Sequence, residues 1–215
     1  MNADGSGLRQ LTVNTAFDCC PDWSPDGSKL VFNSNWPDGD QDIYVIGSDG
    51  TGLINLTNSP GDDMNPAWSP DGTRIAFDAR RDGQAEIYVM NADGTNQVRL
   101  THLFSAERSP AWHPSGTLIA YDSNQIESQP EAQGDHDIFI MYSDGTNQIR
   151  LFDTPGEDRW PAWSPDGQYI SFTSSTEELS ESTNEISSIN VVDWVGKRLT
   201  RLINDAGGAE WKPTP

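Results

Sequence analysis

A seven-residue phrase, Pro-x-Trp-Ser-Pro-Asp-Gly, constrains this chain more than any other feature. It is written as Pro21–Gly27, Pro66–Gly72 and Pro161–Gly167, with a worn copy at Pro110-Ala111-Trp112-His113-Pro114-Ser115-Gly116. A stub, Ala209-Glu210-Trp211-Lys212-Pro213, stands near the end. The Trp residues of the five copies are 45, 44, 51 and 48 residues apart. A period of that size belongs to propellers and solenoids, in which each repeat is one supersecondary unit that buries its apolar face against its neighbours.

Four short β signals fill each period. In one repeat they are Pro66-Ala67-Trp68, Arg74-Ile75-Ala76-Phe77, Glu86-Ile87-Tyr88-Val89-Met90 and Gln97-Val98-Arg99-Leu100, rich in aromatic and β-branched residues. We label them a to d. Pro70-Asp71-Gly72 and Asn91-Ala92-Asp93-Gly94 are turn sequences, because Pro fixes φ, Asp bonds the local backbone and Gly admits positive φ. Antiparallel strands alternate in direction, so the nearly constant a–b and c–d turns share one face. The b–c and d–a loops share the other, where length and residue type vary. The insertions 123–137 and 174–188 fall there. Variable loops on a rigid scaffold are where binding is usually carried.

The net charge is −20, with 13 Lys and Arg against 33 Asp and Glu. Such a surface repels phosphate backbones and anionic lipid, so nucleic acid is not an expected partner. No apolar run reaches the ~18 residues needed to span a bilayer, so membrane insertion is not expected either. Cys19 and Cys20 are adjacent. Their Cα separation of about 3.8 Å is too short for an unstrained disulfide, so they read as free or buried thiols.

The Trp-Ser-Pro-Asp-Gly turn, the Ile-Tyr-Val-Met-Asn-Ala-Asp-Gly-Thr strand and turn (87–95) and the closing Arg-Leu-Thr (99–101) resemble the TolB-type, WD40-like β-propeller repeat over essentially the whole chain. The resemblance implies an all-β fold of four-stranded antiparallel blades, with strand a lining the central channel and strand d at the rim. Residues 1–215 then form one propeller domain or a piece of one, with repeats beginning near Pro21, Pro66, Pro110 and Pro161. Partial-blade strands are expected at 8–12 and 209–212. Met1-Asn2-Ala3-Asp4-Gly5 matches the internal Met90-Asn91-Ala92-Asp93-Gly94, so the chain begins in mid-repeat and no leader is expected within it. The resemblance also implies a periplasmic or extracellular location and a scaffold that docks a protein partner.

An acid stands five residues before each repeat Trp: Asp18, Asp63, Glu107 and Asp158. In a closed ring these would surround the channel mouth, where converging carboxylates bind Ca²⁺, another cation or a basic side chain. Equally, a recurring loop acid accepts backbone N–H groups and stabilises its own repeat. Asp38, Asp40 and Asp42 alternate like the start of a calcium loop, but the Gly and Glu that would complete one are missing. No cofactor is required, and Ca²⁺ is the metal these acids suit. Trp160 and Trp36 break the repeat pattern on the variable face, where an exposed Trp stacks on a sugar or anchors a partner.

The expected function is a non-enzymatic scaffold that binds a protein or basic peptide on its acidic loop face. Alternatives are a carbohydrate-active lyase or hydrolase, with a glycan ligand, and a self-assembling repeat protein that forms homo-oligomers through open blade edges. No nucleophile elbow, His-rich metal cluster or phosphate loop is present in the sequence.

Overall fold

A computed structural model of the chain describes residues 4, 6–37, 39–102, 104–125, 133–152, 154, 156–176, 186–195 and 198–204. The fold is all-β, with four antiparallel four-stranded sheets arranged as propeller blades. Blade 1 is β1 (Asp18–Trp23), β2 (Lys29–Ser34), β3 (Asp42–Gly47) and β4 (Ile54–Asn55). Blade 2 is β5 (Asp63–Trp68), β6 (Arg74–Asp82), β7 (Gln84–Asn91) and β8 (Val98–Arg99). Blade 3 is β9 (Glu107–Trp112), β10 (Leu118–Gln125), β11 (Gln133–Tyr142) and β12 (Ile149–Arg150). Blade 4 is β13 (Glu157–Trp163), β14 (Tyr169–Thr176), β15 (Ile186–Asp193) and β16 (Arg198–Asn204). In every sheet the strands pair in chain order, a to d.

The repeated turns explain the constant face. In Ser24-Pro25-Asp26-Gly27, Gly27 N–H donates to Ser24 O, and Asp26 Oδ1 accepts from Ser24 Oγ and Ser28 N–H. Asp71 and Asp166 repeat this pattern. At the c–d turns Asp49, Asp93 and Asp144 each accept the N–H of the Thr two residues on. These carboxylates are committed to their own turns. Gly94, at φ 85°, also lets its turn pack on the previous blade: a Cβ there would stand 2.8 Å from Leu56 O.

Between blades lies the core. Inner strand β1 packs on β5, β5 on β9, and β9 on β13. Trp68 sits among Val31, Ile43, Val45 and Leu56 of blade 1, and Trp112 among Ala76, Ile87, Val89 and Leu100 of blade 2. Trp163 sits among Ala120, Ile138, Ile140 and Leu151 of blade 3. Trp68, Trp112 and Trp163 are therefore the plugs of the seams with their preceding blades. Trp23 has no such blade against it among the described residues, and it is 54% exposed where Trp68 is 7%.

Residues 8–12 do not form the expected outer strand. A d strand needs a c strand to bond with, and no described residue offers one there. Leu11 nevertheless packs against Phe32, Tyr44 and Ile46, as Leu56 and Leu100 pack on their following blades. The expected strand at 209–212 lies outside the described residues.

Candidate functional site

The acid column belongs to the inner strands rather than to the loops before them. Asp18, Asp63 and Glu107 open β1, β5 and β9, and Asp158 is the second residue of β13. Asp63, Glu107 and Asp158 are wholly buried. Each faces an acid of the preceding blade's c strand, in the pairs Asp42–Asp63, Glu86–Glu107 and Asp137–Asp158. Two carboxylates in a dry seam need donors or a shared proton. Arg81 supplies a bidentate pair to Asp63 at 2.7 and 3.0 Å. Arg99 and Arg150, on the d strands, bond Glu86 and Asp137. Thr57 and Thr101 donate to Asp42 and Glu86 while their Oγ1 atoms accept the Ile43 and Ile87 N–H groups. Among the described residues Glu107 has only the hydroxyls of Ser105 and Ser123 as donors, so burial and then Glu86 push its carboxyl up to about 7. Asp158, which accepts from Thr154, is raised to about 6 by burial and then by Asp137.

Asp18 repeats the position without the seam. Its Oδ1 is buried with no partner among the described residues. It lines a groove of about 150 Å³ with Leu11, Cys19, Leu30, Phe32 and Ile46 on the uncovered side of blade 1. The column thus reads as seam chemistry. Among the described residues no three His, Cys, Asp or Glu side chains stand close enough to share a metal. Asp38 lies outside the described residues, Asp40 is exposed, and Asp42 is bonded by Asn55 and Thr57.

A second column was missed, although a polar residue recurs ten positions after each Trp inside an apolar strand: Asn33, Asp78, Asp122 and Thr173. Its partner is a β-bulge three residues before each Trp, where the ladder register shifts. There Cys20, Asn65, Ser109 and Trp160 hold φ of 51–57°, a left-handed conformation that side-chain-bearing residues adopt at a cost of about 1–2 kcal/mol. Asn33, Asp78 and Asp122 accept the N–H of Asn65, Ser109 and Trp160 from the next blade. Asp78 also accepts from Asn65 Nδ2, and burial raises its carboxyl to about 7. Thr173, in blade 4, has a buried Oγ1 with no partner among the described residues. His136 Nδ1 lies 2.8 Å from Asp122 Oδ2.

The bulge aims Trp160 outward: it is 53% exposed on the loop side of blade 4. Trp36, in the b–c loop of blade 1, is 46% exposed, with its carbonyl accepting from Tyr44 Oη. Phe17 and Phe104, in d–a loops, are exposed on the same face. Three arginines from successive blades also meet at this end: Arg80 of β6, Arg108 of β9 and Arg159 of β13. Arg159 is held by Glu157 at 2.7 Å, and Arg80 stands 4.0 Å from Asp62. Burial first, then the Arg80 and Arg159 charges, hold Arg108 below the usual guanidinium range, against the pull of Asp78 and Asp122.

The blades, their order and the inner-strand seams define a β-propeller module. Within it, residues 35–130 match the PD40 model, described as the TolB beta propeller domain. The chain is similar to a TolB-type protein from Agrobacterium tumefaciens at 25% identity and TM-score 0.76, covering 89% of this chain and 68% of that one. It is similar to TolB from Acinetobacter baumannii at 22% identity and TM-score 0.73, covering 93% and 47%. A Mycobacterium tuberculosis puromycin-hydrolyzing peptidase shares the fold at 15% identity and TM-score 0.69, covering 96% and 32%. The chain therefore spans less than half of the Acinetobacter protein and about a third of the peptidase. No curated protein matches the sequence.

Proposed function

We propose that this propeller is a non-enzymatic docking scaffold, working in the periplasm or outside the cell, that receives a protein or peptide segment on its b–c and d–a loop face. The observation that carries this reading is the set of exposed aromatic side chains there: Phe17, Trp36 and Phe104 from three separate connections and Trp160 from the β13 bulge. Exposed Trp and other aromatic residues are the usual anchors of a protein interface, since they bury large area at small conformational cost. The likeness to TolB propellers supports the same reading at the level of the fold. A lyase or hydrolase built on Asp63, Glu107 and Asp158 gains no support, because those carboxylates have no exposed surface.

Panning a displayed random-peptide library on the folded protein tests the proposal. Recovered peptides are expected to lose binding in a Trp36→Ala/Trp160→Ala double variant and to keep it in Asp93→Ala, a turn-face change. Peptides indifferent to both Trp changes would overturn the assignment of the face.

A further inference from the structure

In a chain with net charge −20, three of its ten arginines gather at the loop end of the inner strands. Arg108 and Arg159 hold one repeat position, four residues before Trp112 and Trp163, while blades 1 and 2 carry Cys19 and Met64 there. Arg80 comes from the strand-b end of blade 2. Like charges brought together in this way repel one another, and half-burial removes the water that would screen them.

Arg108 is the unusual member. Arg159 has Glu157, and Arg81 and Arg99 have their seam acids, but the Arg108 side chain makes no hydrogen bond and no ion pair among the described residues. Its Nε–H is buried with no acceptor among the described residues. A buried donor without a partner is costly, and a guanidinium offers a planar fork that fits a carboxylate with two parallel hydrogen bonds. Asp122 is engaged at both oxygens, its Oδ1 accepting the Trp160 N–H and its Oδ2 meeting His136. Asp78 Oδ1 serves Asn65 and Ser109, and its Oδ2 is buried with no partner among the described residues but makes no hydrogen bond with Arg108. Trp160, an exposed platform, follows Arg159 directly.

We propose that Arg108, flanked by Arg80 and Arg159, is an anion site that takes a carboxylate of the docked segment, with Trp160 packing on the neighbouring part of that segment. This rests on the docking reading above and adds its chemistry: the segment presents an Asp, a Glu or its C-terminal carboxylate. Asp62, Glu157 and Asp122, with Asp78 raised to about 7 by burial, offset the charge of the three guanidinium groups, so the region carries no net positive excess. The site therefore suits one well-placed carboxylate rather than a polyanion.

The test is an NMR titration of the folded protein with sodium acetate against sodium chloride at constant ionic strength. It follows the arginine Nε–H and Trp indole signals, in wild type, Arg108→Gln and Arg108→Lys. Saturable acetate shifts at Arg108 and Trp160 are expected, weakened about tenfold or more in Arg108→Gln and only partly rescued by Lys, which lacks the fork. Shifts that are linear, or equal in wild type and Arg108→Gln, would mean an adventitious ion only and would overturn the proposal. A second arm uses peptides recovered by panning. If they bind the aromatic face but ignore both Arg108→Gln and Asp/Glu→Asn/Gln changes in the peptide, the carboxylate inference fails and the docking reading stands. If acetate saturates but no peptide binds that face, the docking reading fails and the anion site stands.

Discussion

Replacing a repeat Trp by Ala should cost very different amounts in blade 1 and blade 3. Trp112 is 8% exposed, is packed among residues of two blades, and donates its indole N–H to Ala67 O at 3.2 Å. Its removal takes away transfer free energy, leaves a cavity in a seam that two rigid sheets cannot close, and strands a carbonyl. Trp→Ala changes of this kind cost about 3–5 kcal/mol. Trp23 holds the same repeat position but is 54% exposed. About half its area remains in water, and no second sheet is left facing a void, so the expected cost is about 1–2 kcal/mol. Urea unfolding of the two variants and the wild type, at one protein concentration and with m values compared, measures the difference. Equal losses of about 3 kcal/mol or more would refute the seam argument. So would a Trp23→Ala cost that grows with protein concentration, since another molecule would then be covering that face.

Three other outcomes follow from the buried polar groups. The raised carboxyls of Glu107, at about 7, and Asp158, at about 6, mean that the folded chain binds more protons than the unfolded chain between roughly pH 4 and 7. Their contribution is complete below that window and is lost as pH rises through it. Urea midpoints should therefore fall from pH 5 to pH 8, and Glu107→Gln, which can donate to Glu86 without titrating, should flatten that slope. The turn carboxylates act in the opposite sense: Asp26 and Asp71 are lowered to about 2 by their Ser and backbone donors. Their contribution is present above about pH 4 and is lost as pH falls towards 2, so a stability maximum near pH 5 is expected in a midpoint-versus-pH series. Asp78→Ala should cost about 1–3 kcal/mol by stranding the Ser109 N–H, while Asp78→Asn, which keeps an acceptor, should cost less by thermal or urea unfolding.

The repeat made the blades legible because turn chemistry is local. Pro70-Asp71-Gly72 carries its own φ restriction, acceptor and positive-φ residue, and the same is true of Asn91 to Gly94. Strand direction then separated the turn face from the loop face with no further information. The seam was not legible in this way. The partners of Glu107 come from Glu86 in the previous blade and from Ser105 and Ser123 in its own, and a period of 45 residues places such contacts beyond local reading. A recurring acid with unknown neighbours reads equally well as a channel-mouth ligand or as a seam element. The bulge was hidden for another reason. Cys20, Asn65, Ser109 and Trp160 share a backbone conformation and no side-chain chemistry, and Asn65 alone belongs to a residue type that favours it. The Asn33–Asp78–Asp122 column was visible as a polar residue at constant offset from Trp, interrupting an apolar strand. That pattern is a usable signal for a cap reaching into the next repeat. The two Trp that broke the pattern, Trp36 and Trp160, are the ones the structure leaves exposed on the loop face.

On the proposed reading, this propeller binds through its loop face while its recurring acids sit in the seams between blades. Amide hydrogen exchange of the protein with and without a panned peptide tests it most directly. New protection is expected in the segments around Phe17, Trp36, Phe104 and Trp160, with the Ser-Pro-Asp-Gly and c–d turns unchanged. Protection confined to those turns, or to β1 and β2 around Trp23 and Leu30, would contradict it and would move the interface to the turn face or to the uncovered seam of blade 1.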